Sequence, residues 1–317
     1  MLAFALYFKR TALSQSNAAN VSGNGARTRP RDDEVGARRY PQLVELDLTC
    51  PLDLAGSLEP LATARHLASL RLRNASLLNG DVAPLSNLVK LVSLDLGGCD
   101  HLAGDFADLS NLAALRTLNL GGTSLGGDLA FVKNMSQLRV LDVYDTAGDL
   151  RGTLDNVPST LTTLRVRSRR RPARLAGTLE RFARLKNLEH VAIQNAHGLS
   201  GTLAPLASLP LVALDLHGCK NLEGDLAPLS GLRALTSLDL SGSGMHHTRF
   251  CGTLEPLGAL TRLAFIRLDR CPGLRGGLAR RRRGDERSRR RRGARGGSGA
   301  RPRTRRHASA RSPRSRS

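Results

Sequence analysis

The feature that most constrains the fold is a repeated triplet, in which two apolar residues flank one variable residue. Ten triplets occur, and successive ones start 23 to 28 residues apart. They start at Leu46, Leu70, Leu94, Leu118, Leu141, Leu164, Val191, Leu214, Leu238 and Ile266. A glycine with apolar residues two positions before and after it follows each triplet: Gly56, Gly80, Gly104, Gly127, Gly152, Gly177, Gly201, Gly224, Gly252 and Gly276. Two patterns in phase over ten intervals predict a chain of stacked units.

Each triplet predicts a short β-strand, because alternate side chains of a strand point to opposite faces. One such strand cannot bury its apolar face alone, whereas ten stacked in parallel give one long sheet over a continuous core. The glycines mark places where the backbone bends or approaches a neighbour closely. Leucines spaced by three, as in residues 85–91, predict a short 3₁₀ or irregular segment that returns the chain on the other side.

Composition agrees with a narrow aliphatic interior. Apolar residues make up 40% of the 317 residues and aromatic residues only 3%, with no tryptophan. The net charge of +21 is concentrated at the carboxyl end, where residues 280–317 hold 17 arginines and two acidic residues. The repeat region is therefore close to neutral, and the tail carries too few apolar residues to form a core.

At these residues the chain resembles the leucine-rich repeat family. The segment LVSLDLGGCDHLAGDFADLSNLAAL follows the LxxLxLxxC/NxxL pattern, and the glycine pattern is similar to the plant-type LxGxIP subclass. The resemblance implies an α/β-type leucine-rich repeat solenoid, a right-handed curved horseshoe with a parallel β-sheet on its concave face and 3₁₀ or irregular segments on its convex face. It also implies that the concave face binds other molecules, usually proteins, without catalysis.

Three regions are predicted along the chain. Residues 1–41 have no apolar periodicity and are expected to be disordered or loosely docked. Residues 42–279 are expected to form the repeat domain of about ten units, and residues 280–317 a disordered basic tail rich in Arg, Ser and Gly. The apolar run at the start, residues 1–8, is shorter than the roughly 20 residues of a spanning helix, so we predict no transmembrane segment.

The middle residues of the triplets and their neighbours are expected to face solvent on the concave side. Tyr and Arg, which often anchor interfaces, concentrate on the fifth and sixth strands. The predicted partner-binding residues are Asp95, Asn119, Asp142, Tyr144, Arg165, Arg167, Gln194, Asp215, His217 and Asp239. Oppositely charged neighbours are expected to pair laterally, while Asp215 and Asp239 are adjacent like charges. The alternative is a polar ladder that only keeps the sheet soluble.

Two repeats are longer than the others, and insertions in solenoids often carry binding groups. One insertion forms a predicted basic patch of Arg169, Arg170, Arg171 and Arg174, suited to an acidic partner or a phosphate. The other covers residues 242–250. Either insertion is also interpretable as a tolerated loop.

Catalytic and metal-binding signatures do not occur in the sequence. It contains no GxSxG, P-loop or HExxH motif and no CxxC pair, so we predict neither an enzyme nor a cofactor. Five cysteines without paired spacing argue against a disulfide framework. Together with the absence of a basic region before the first apolar run, they favour an intracellular location, cytoplasmic or nuclear, with secretion as the alternative.

Three functions remain open at this point. The favoured one is an intracellular interaction module that binds a protein or peptide on its concave face. The second is a nuclear or RNA-associated protein that uses the tail for weak binding of nucleic acid or another anionic surface. The third is a fragment of the ectodomain of a leucine-rich repeat receptor. The tail is also interpretable as an artefact of the gene model.

Overall fold

The ten predicted triplets form the strands of one parallel sheet in a computed structural model, which describes residues 42–49, 54–168 and 171–277. We call this the concave sheet, with strands in chain order. They are β1 (Glu45–Asp47), β2 (Ser69–Arg71), β3 (Ser93–Asp95), β4 (Thr117–Asn119), β5 (Val140–Thr146), β6 (Thr163–Ser168), β7 (His190–Ile193), β8 (Ala213–Asp215), β9 (Ser237–Asp239) and β10 (Phe265–Arg267).

The register of the concave sheet places equivalent triplet positions side by side. Leu46 pairs with Leu70 at one end, and Leu238 pairs with Ile266 at the other. The flanking apolar residues enter a core of buried side chains that runs without interruption from Leu46 to Leu260. Each unit therefore buries its leucines against its neighbours, as the repeat predicts.

A second set of short strands, which we did not predict, runs alongside the concave sheet. A seven-stranded parallel sheet contains Gly127–Asp128, Leu150–Thr153, Arg174–Thr178, Gly198–Gly201, Asn221–Gly224, Arg249–Thr253 and Gly273–Arg275. A two-stranded sheet contains Gly80–Asp81 and Leu102–Ala103. These strands form at the glycine motifs, so the backbone there pairs with the neighbouring unit as well as bending.

The ten motif glycines all have positive φ, between 88° and 130°. Side chains rarely tolerate this backbone region, which explains the residue type. Several glycines also face a neighbouring unit closely. A Cβ on Gly152 would lie 3.0 Å from Cγ of Asp128 and 3.1 Å from the amide nitrogen of Leu129.

Short 3₁₀ segments return the chain after most glycine motifs, as predicted. They cover Glu59–Leu61, Ala83–Leu85, Phe106–Leu109, Leu129–Asn134, Leu154–Asn156, Glu180–Arg184, Ala204–Leu206, Ala227–Gly231 and Glu255–Ala259. A polar side chain just after the motif glycine caps several of them; Oδ1 of Asp128, for example, accepts a hydrogen bond from the amide of Ala130 at 2.8 Å. Such a bond satisfies one of the free amides at the start of a helical turn.

The predicted terminal regions, residues 1–41 and 280–317, lie outside the described residues. Within the described part of the chain, no helix has the length and apolar character needed to cross a membrane. The parallel concave sheet, the motif glycines and the 3₁₀ segments agree with the predicted solenoid.

Candidate ligand-binding surface on the concave sheet

The concave sheet has its longest strands in the middle. β5 has seven residues and β6 has six, whereas most of the other strands have three. The register between them shifts after the pair Arg167–Tyr144, so that Ser168 pairs with Thr146 and Asp145 is skipped. Asp145 takes a φ of 66°, a conformation that is uncommon for residues other than glycine. Such bulges re-aim side chains and often lie next to binding sites.

Tyr144 lies against two arginines at this bulge. The guanidinium carbon of Arg165 is 4.8 Å from the centre of the Tyr144 ring, and that of Arg167 is 5.3 Å from it. Arg167 also donates a hydrogen bond to the Tyr144 hydroxyl at 3.2 Å and lies 3.7 Å from a carboxylate oxygen of Asp145. These contacts restrict all three long side chains before any ligand arrives, which lowers the entropy lost on binding.

Asp142 forms the floor of this cluster. Its carboxylate accepts a hydrogen bond from Arg165 at 2.7 Å, and its side chain is only 13% exposed while that of Arg165 is 46% exposed. Burial raises the pKa of Asp142 above its ordinary value, although the Tyr144 amide and Arg165 act in the opposite direction. The lateral pairing predicted between β5 and β6 is therefore confirmed. The equivalent pair at the first end, Asp47 and Arg71, lies at 3.3 Å.

The aspartates and the asparagine in the middle of the triplets also have a structural role that the sequence did not reveal. In each, one side-chain oxygen accepts a hydrogen bond from the amide two residues later, at 2.9 to 3.2 Å. These residues are Asp47, Asp95, Asn119, Asp142, Asp215 and Asp239. The bond fixes the turn where the strand ends, so each of these side chains serves the backbone as well as any ligand or lateral partner.

Asp95 and Asn119 extend the surface towards the start of the solenoid. The amide nitrogen of Asn119 donates to Oδ1 of Asp95 at 2.9 Å. Beside them a pocket of about 140 Å³ reaches the Tyr144 cluster. Its lining includes Asn119, Asp142, Tyr144 and Arg165, together with residues that were not predicted: Arg73, Asn74, Gly97, Gly98 and Gly121. The glycine doublets directly after LDL and LNL were the sequence signal for this open space, since they place no side chain there.

Gln194, which follows β7, forms a second polar group with Asp215 at the end of β8 and with His217 just beyond it. Gln194 donates to Oδ2 of Asp215, and the amide of His217 donates to its Oδ1 at 3.0 Å. Burial raises the pKa of Asp215, and the nearby charge of Asp239 contributes in the same direction. The ring of His217 lies 2.8 Å from the hydroxyl of Ser241, which links this group to β9.

Asp239 departs from its predicted exposure. We expected it to face solvent as one of two adjacent like charges, with Asp215 beside it, but it is only 7% exposed. Both the amide and the hydroxyl of Ser241 donate to its Oδ1, and Arg267 lies 3.5 Å from its Oδ2. A carboxylate is buried only when donors replace water, and Ser241 supplies them. Asp239 is therefore connected to the second polar group through Ser241, whose hydroxyl also lies against the ring of His217.

The predicted basic patch is only partly described. Arg169 and Arg170 lie outside the described residues. Arg171 is exposed, and Arg174 begins a strand of the seven-stranded sheet, where its guanidinium is 3.6 Å from the carboxylate of Asp149. Neither described arginine lines the concave pocket. Arg171 and Arg174 thus belong to a feature separate from the concave pocket.

Comparisons with known proteins identify the fold. No protein-family model and no curated protein matches the chain. Among solved structures, the plant peptide hormone receptor RGFR1 in complex with RGF2 matches with 22% identity and a TM-score of 0.55, over 71% of this chain and 39% of that chain. The PEPR1–AtPEP1 complex matches with 22% identity and a TM-score of 0.57, over 79% and 38%. The ectodomain of the Arabidopsis receptor kinase HAESA, in complex with an N-terminally extended IDA peptide hormone, matches with 23% identity and a TM-score of 0.54, over 72% of this chain and 42% of that chain.

These matches confirm the resemblance to leucine-rich repeat proteins at the level of the fold, at identities too low to show more. The chain spans about two fifths of the length of each of the three proteins.

The predicted intracellular location is wrong by this comparison. The matched chains include receptor ectodomains, which points to a secreted or extracellular location. The cysteines misled us because three of them have a structural role that does not depend on compartment. The thiols of Cys99, Cys219 and Cys271 are buried and donate to backbone carbonyls of the preceding unit at 2.9, 3.2 and 3.3 Å.

Proposed function

We propose that this chain is a ligand-binding repeat region of a secreted or receptor-type extracellular protein, and that it holds an extended peptide on the concave sheet. The observation that carries the proposal is the Tyr144 cluster on the two longest strands, where aromatic and guanidinium surface is ordered in advance and open to solvent. The structural neighbours support it, since they include a plant peptide hormone receptor in complex with RGF2 and the HAESA ectodomain in complex with an IDA peptide hormone. Binding rather than catalysis is part of the proposal.

The peptide is proposed to cross β3 to β8. The small pocket beside Asn119 and the Tyr144 cluster lie in continuity, because they share Tyr144 and Arg165. The second polar group lies further along the sheet, with Gln194 just after β7 and Asp215 at the end of β8. Adjacent parallel strands are about 4.8 Å apart, so the surface from β3 to β8 spans roughly 24 Å, enough for seven or so extended residues. The partner-binding residues predicted from the sequence fall within this span, except Asp239 on β9.

Arginine and tyrosine give the middle of this surface its chemistry. Arg165 pairs with Asp142 through Nη1, and its side chain is 46% exposed, so part of the guanidinium remains accessible. Fully desolvated arginine and tyrosine contacts are the usual centres of binding energy at interfaces. A polar or acidic peptide group against Arg165, with an apolar group beside the Tyr144 ring, is the expected arrangement.

The proposal is tested by selecting peptides from a random display library on the full chain and measuring their affinity for variants. Tyr144→Ala and Arg165→Gln are expected to weaken the selected peptides at least tenfold, as hot-spot residues do. Arg233→Gln is the matched control, because Arg233 is exposed on the turn that precedes β9. Circular dichroism establishes that each variant is folded. Peptides that bind both concave variants as tightly as the parent would contradict the proposal.

The nucleic-acid alternative concerns residues 280–317, which lie outside the described residues. The solved structures that the chain resembles give it no support. The peptide-binding proposal therefore rests on the described concave residues alone.

A further inference from the structure

A second pocket, of about 560 Å³, lies beside the first insertion and shares no residue with the concave pocket. It is lined by Arg171–Ala176 together with His197 and Gly198. Pockets of 300 to 1,000 Å³ are the usual size for small-molecule ligands. The volume therefore admits an organic molecule rather than a lone ion.

The accessible apolar surface of this pocket comes from Pro172 and Ala176, which are exposed. Ala173 and Leu175 lie beneath them, buried at 2% and 0% exposure. The strand that carries Leu175 approaches the next unit so closely that a Cβ on Gly198 would overlap the Leu175 carbonyl oxygen. The glycine is thus required for the close approach of the two strands, and it adds no side chain to the pocket wall.

The rim of the pocket is basic. Arg171 is exposed, and the Arg174 side chain is 65% exposed. The carboxylate of Asp149 lies 3.6 Å from Arg174, in an exposed pair that solvent weakens. Lys220 lies near enough to His197 for its charge to lower the pKa of that ring, in addition to the larger effect of burial. Among the described residues that line the pocket, two are arginines and none is a carboxylate, so the rim carries a positive excess.

The second insertion reaches the same place. The ring of His246 lies edge-on to that of His197, with 5.3 Å between the ring centres. The two residues are two units apart, so the chain from residue 242 folds back across the intervening unit. A Cβ on Gly218 of that unit would lie 2.9 Å from Cβ of Ser243, which shows how closely the insertion covers it. Both long repeats therefore contribute to one location.

We propose that this pocket binds an organic anion, a carboxylate or phosphate group carried on an apolar or aromatic body. The anionic group would lie at Arg174 and Arg171, and the body would cover Pro172 and Ala176. The basic rim and the apolar surface are both needed for selective binding. Exposed arginines alone bind small anions weakly, and an apolar surface alone does not select charge. The proposal is independent of peptide binding on the concave sheet.

The test uses four probes on the full chain, with dissociation constants from ligand-observed NMR. 2-Naphthoate and 1-naphthyl phosphate combine charge with an aromatic body, 2-naphthalenemethanol lacks the charge, and inorganic phosphate lacks the body. We expect at least one naphthyl anion to bind ten or more times as tightly as the alcohol and inorganic phosphate, and the tighter of the two identifies the preferred anion. Equal binding of anion and alcohol, or no binding of either anion, would overturn the proposal.

Two variants locate the binding. Arg174→Gln removes a positive charge from the rim and is expected to weaken binding of the naphthyl anion at least fivefold. Ala176→Phe fills the pocket and is expected to abolish that binding. Arg151→Gln is the matched control, because Arg151 is exposed on the adjacent strand, pairs in register with Arg174 and does not line the pocket. An equal loss in the Arg151 variant, or an unchanged affinity with Arg174→Gln, would refute the assignment even if the phenylalanine variant fails to fold.

Discussion

At the scale of single residues, the motif glycines separate two costs of a side chain. Gly152 and Gly177 both have strongly positive φ, 112° and 98°. A Cβ on Gly177 meets nothing within 4 Å, whereas one on Gly152 meets the Asp128 carboxylate and the Leu129 amide nitrogen. Asp128 cannot retreat without losing its hydrogen bond to Ala130.

Gly177→Ala is therefore expected to lower the free energy of unfolding by about 1 to 2 kcal/mol through backbone strain alone. For Gly152→Ala we expect a further loss of about 1 to 3 kcal/mol from the steric overlap. Urea denaturation of the two variants and the parent measures both. Equal destabilisation would show that the contact with the preceding unit has no energetic role.

Among the four cysteines in the described residues, the buried thiols differ sharply from the exposed Cys251. Burial raises the pKa of Cys99 to about 11 and that of Cys219 to about 12, whereas Cys251 is exposed. Because the thiolate is the reactive form, iodoacetamide at pH 8 should modify Cys251 in the folded protein and leave Cys99 and Cys219 intact until urea unfolds the chain. Peptide mass mapping identifies each modified position. Early labelling of Cys219 would contradict the packing described here.

At the scale of the strand, Asp142 fixes the backbone turn after its triplet and also belongs to the surface proposed to bind the peptide. Oδ1 of Asp142 accepts from the Tyr144 amide at 3.0 Å, and asparagine retains that acceptor. Burial raises the pKa of Asp142, so the folded state favours the protonated carboxyl and removal of the charge costs no stability on that account. The Arg165 side chain is 46% exposed, so solvent weakens its attraction to Asp142 and the pair adds little to the free energy of unfolding.

Asp142→Asn is thus expected to unfold at the same urea concentration as the parent or a higher one. Asp142→Ala, which loses the hydrogen bond, should be less stable than the asparagine variant by about 1 kcal/mol. These two variants also distinguish an effect on binding from an effect on folding. A ligand that needs the carboxylate should bind both variants more weakly than the parent. A less stable asparagine variant would show that the charge pair dominates at this strand.

The strands also show what the sequence could predict. Period-two triplets and motif glycines fixed the concave register, because burial of Leu46 and its equivalents leaves no other alignment. The second sheet was missed, since its strands are two to five residues long and carry no alternating pattern of their own. The bulge at Asp145 was missed for a different reason: it depends on the register between two strands, which no single repeat encodes.

At the scale of the whole repeat region, both proposed sites arise from irregularity in a regular stack. The regular units supply a rigid core, while the long strands β5 and β6 and the two insertions break the pattern and gather arginine, tyrosine and histidine. The residue types were visible in the sequence. Their proximity in space was not visible, because a loop that folds back across one unit brings His197 and His246 together.

The core also bears on the domain boundaries predicted for residues 42–279. Buried side chains connect Leu46 to Leu260 in one cluster, and Leu274 packs against its edge. Because each unit is stabilised by its neighbours within this range, a fragment of residues 42–279 should unfold at the same urea concentration as the full chain. It should also bind display-selected peptides within twofold of the parental affinity, and with a weaker dependence on salt once the 17 arginines of residues 280–317 are removed. A fragment that folds but loses peptide binding would place the ligand contacts outside the concave sheet, and one that fails to fold would show that the terminal regions complete the core.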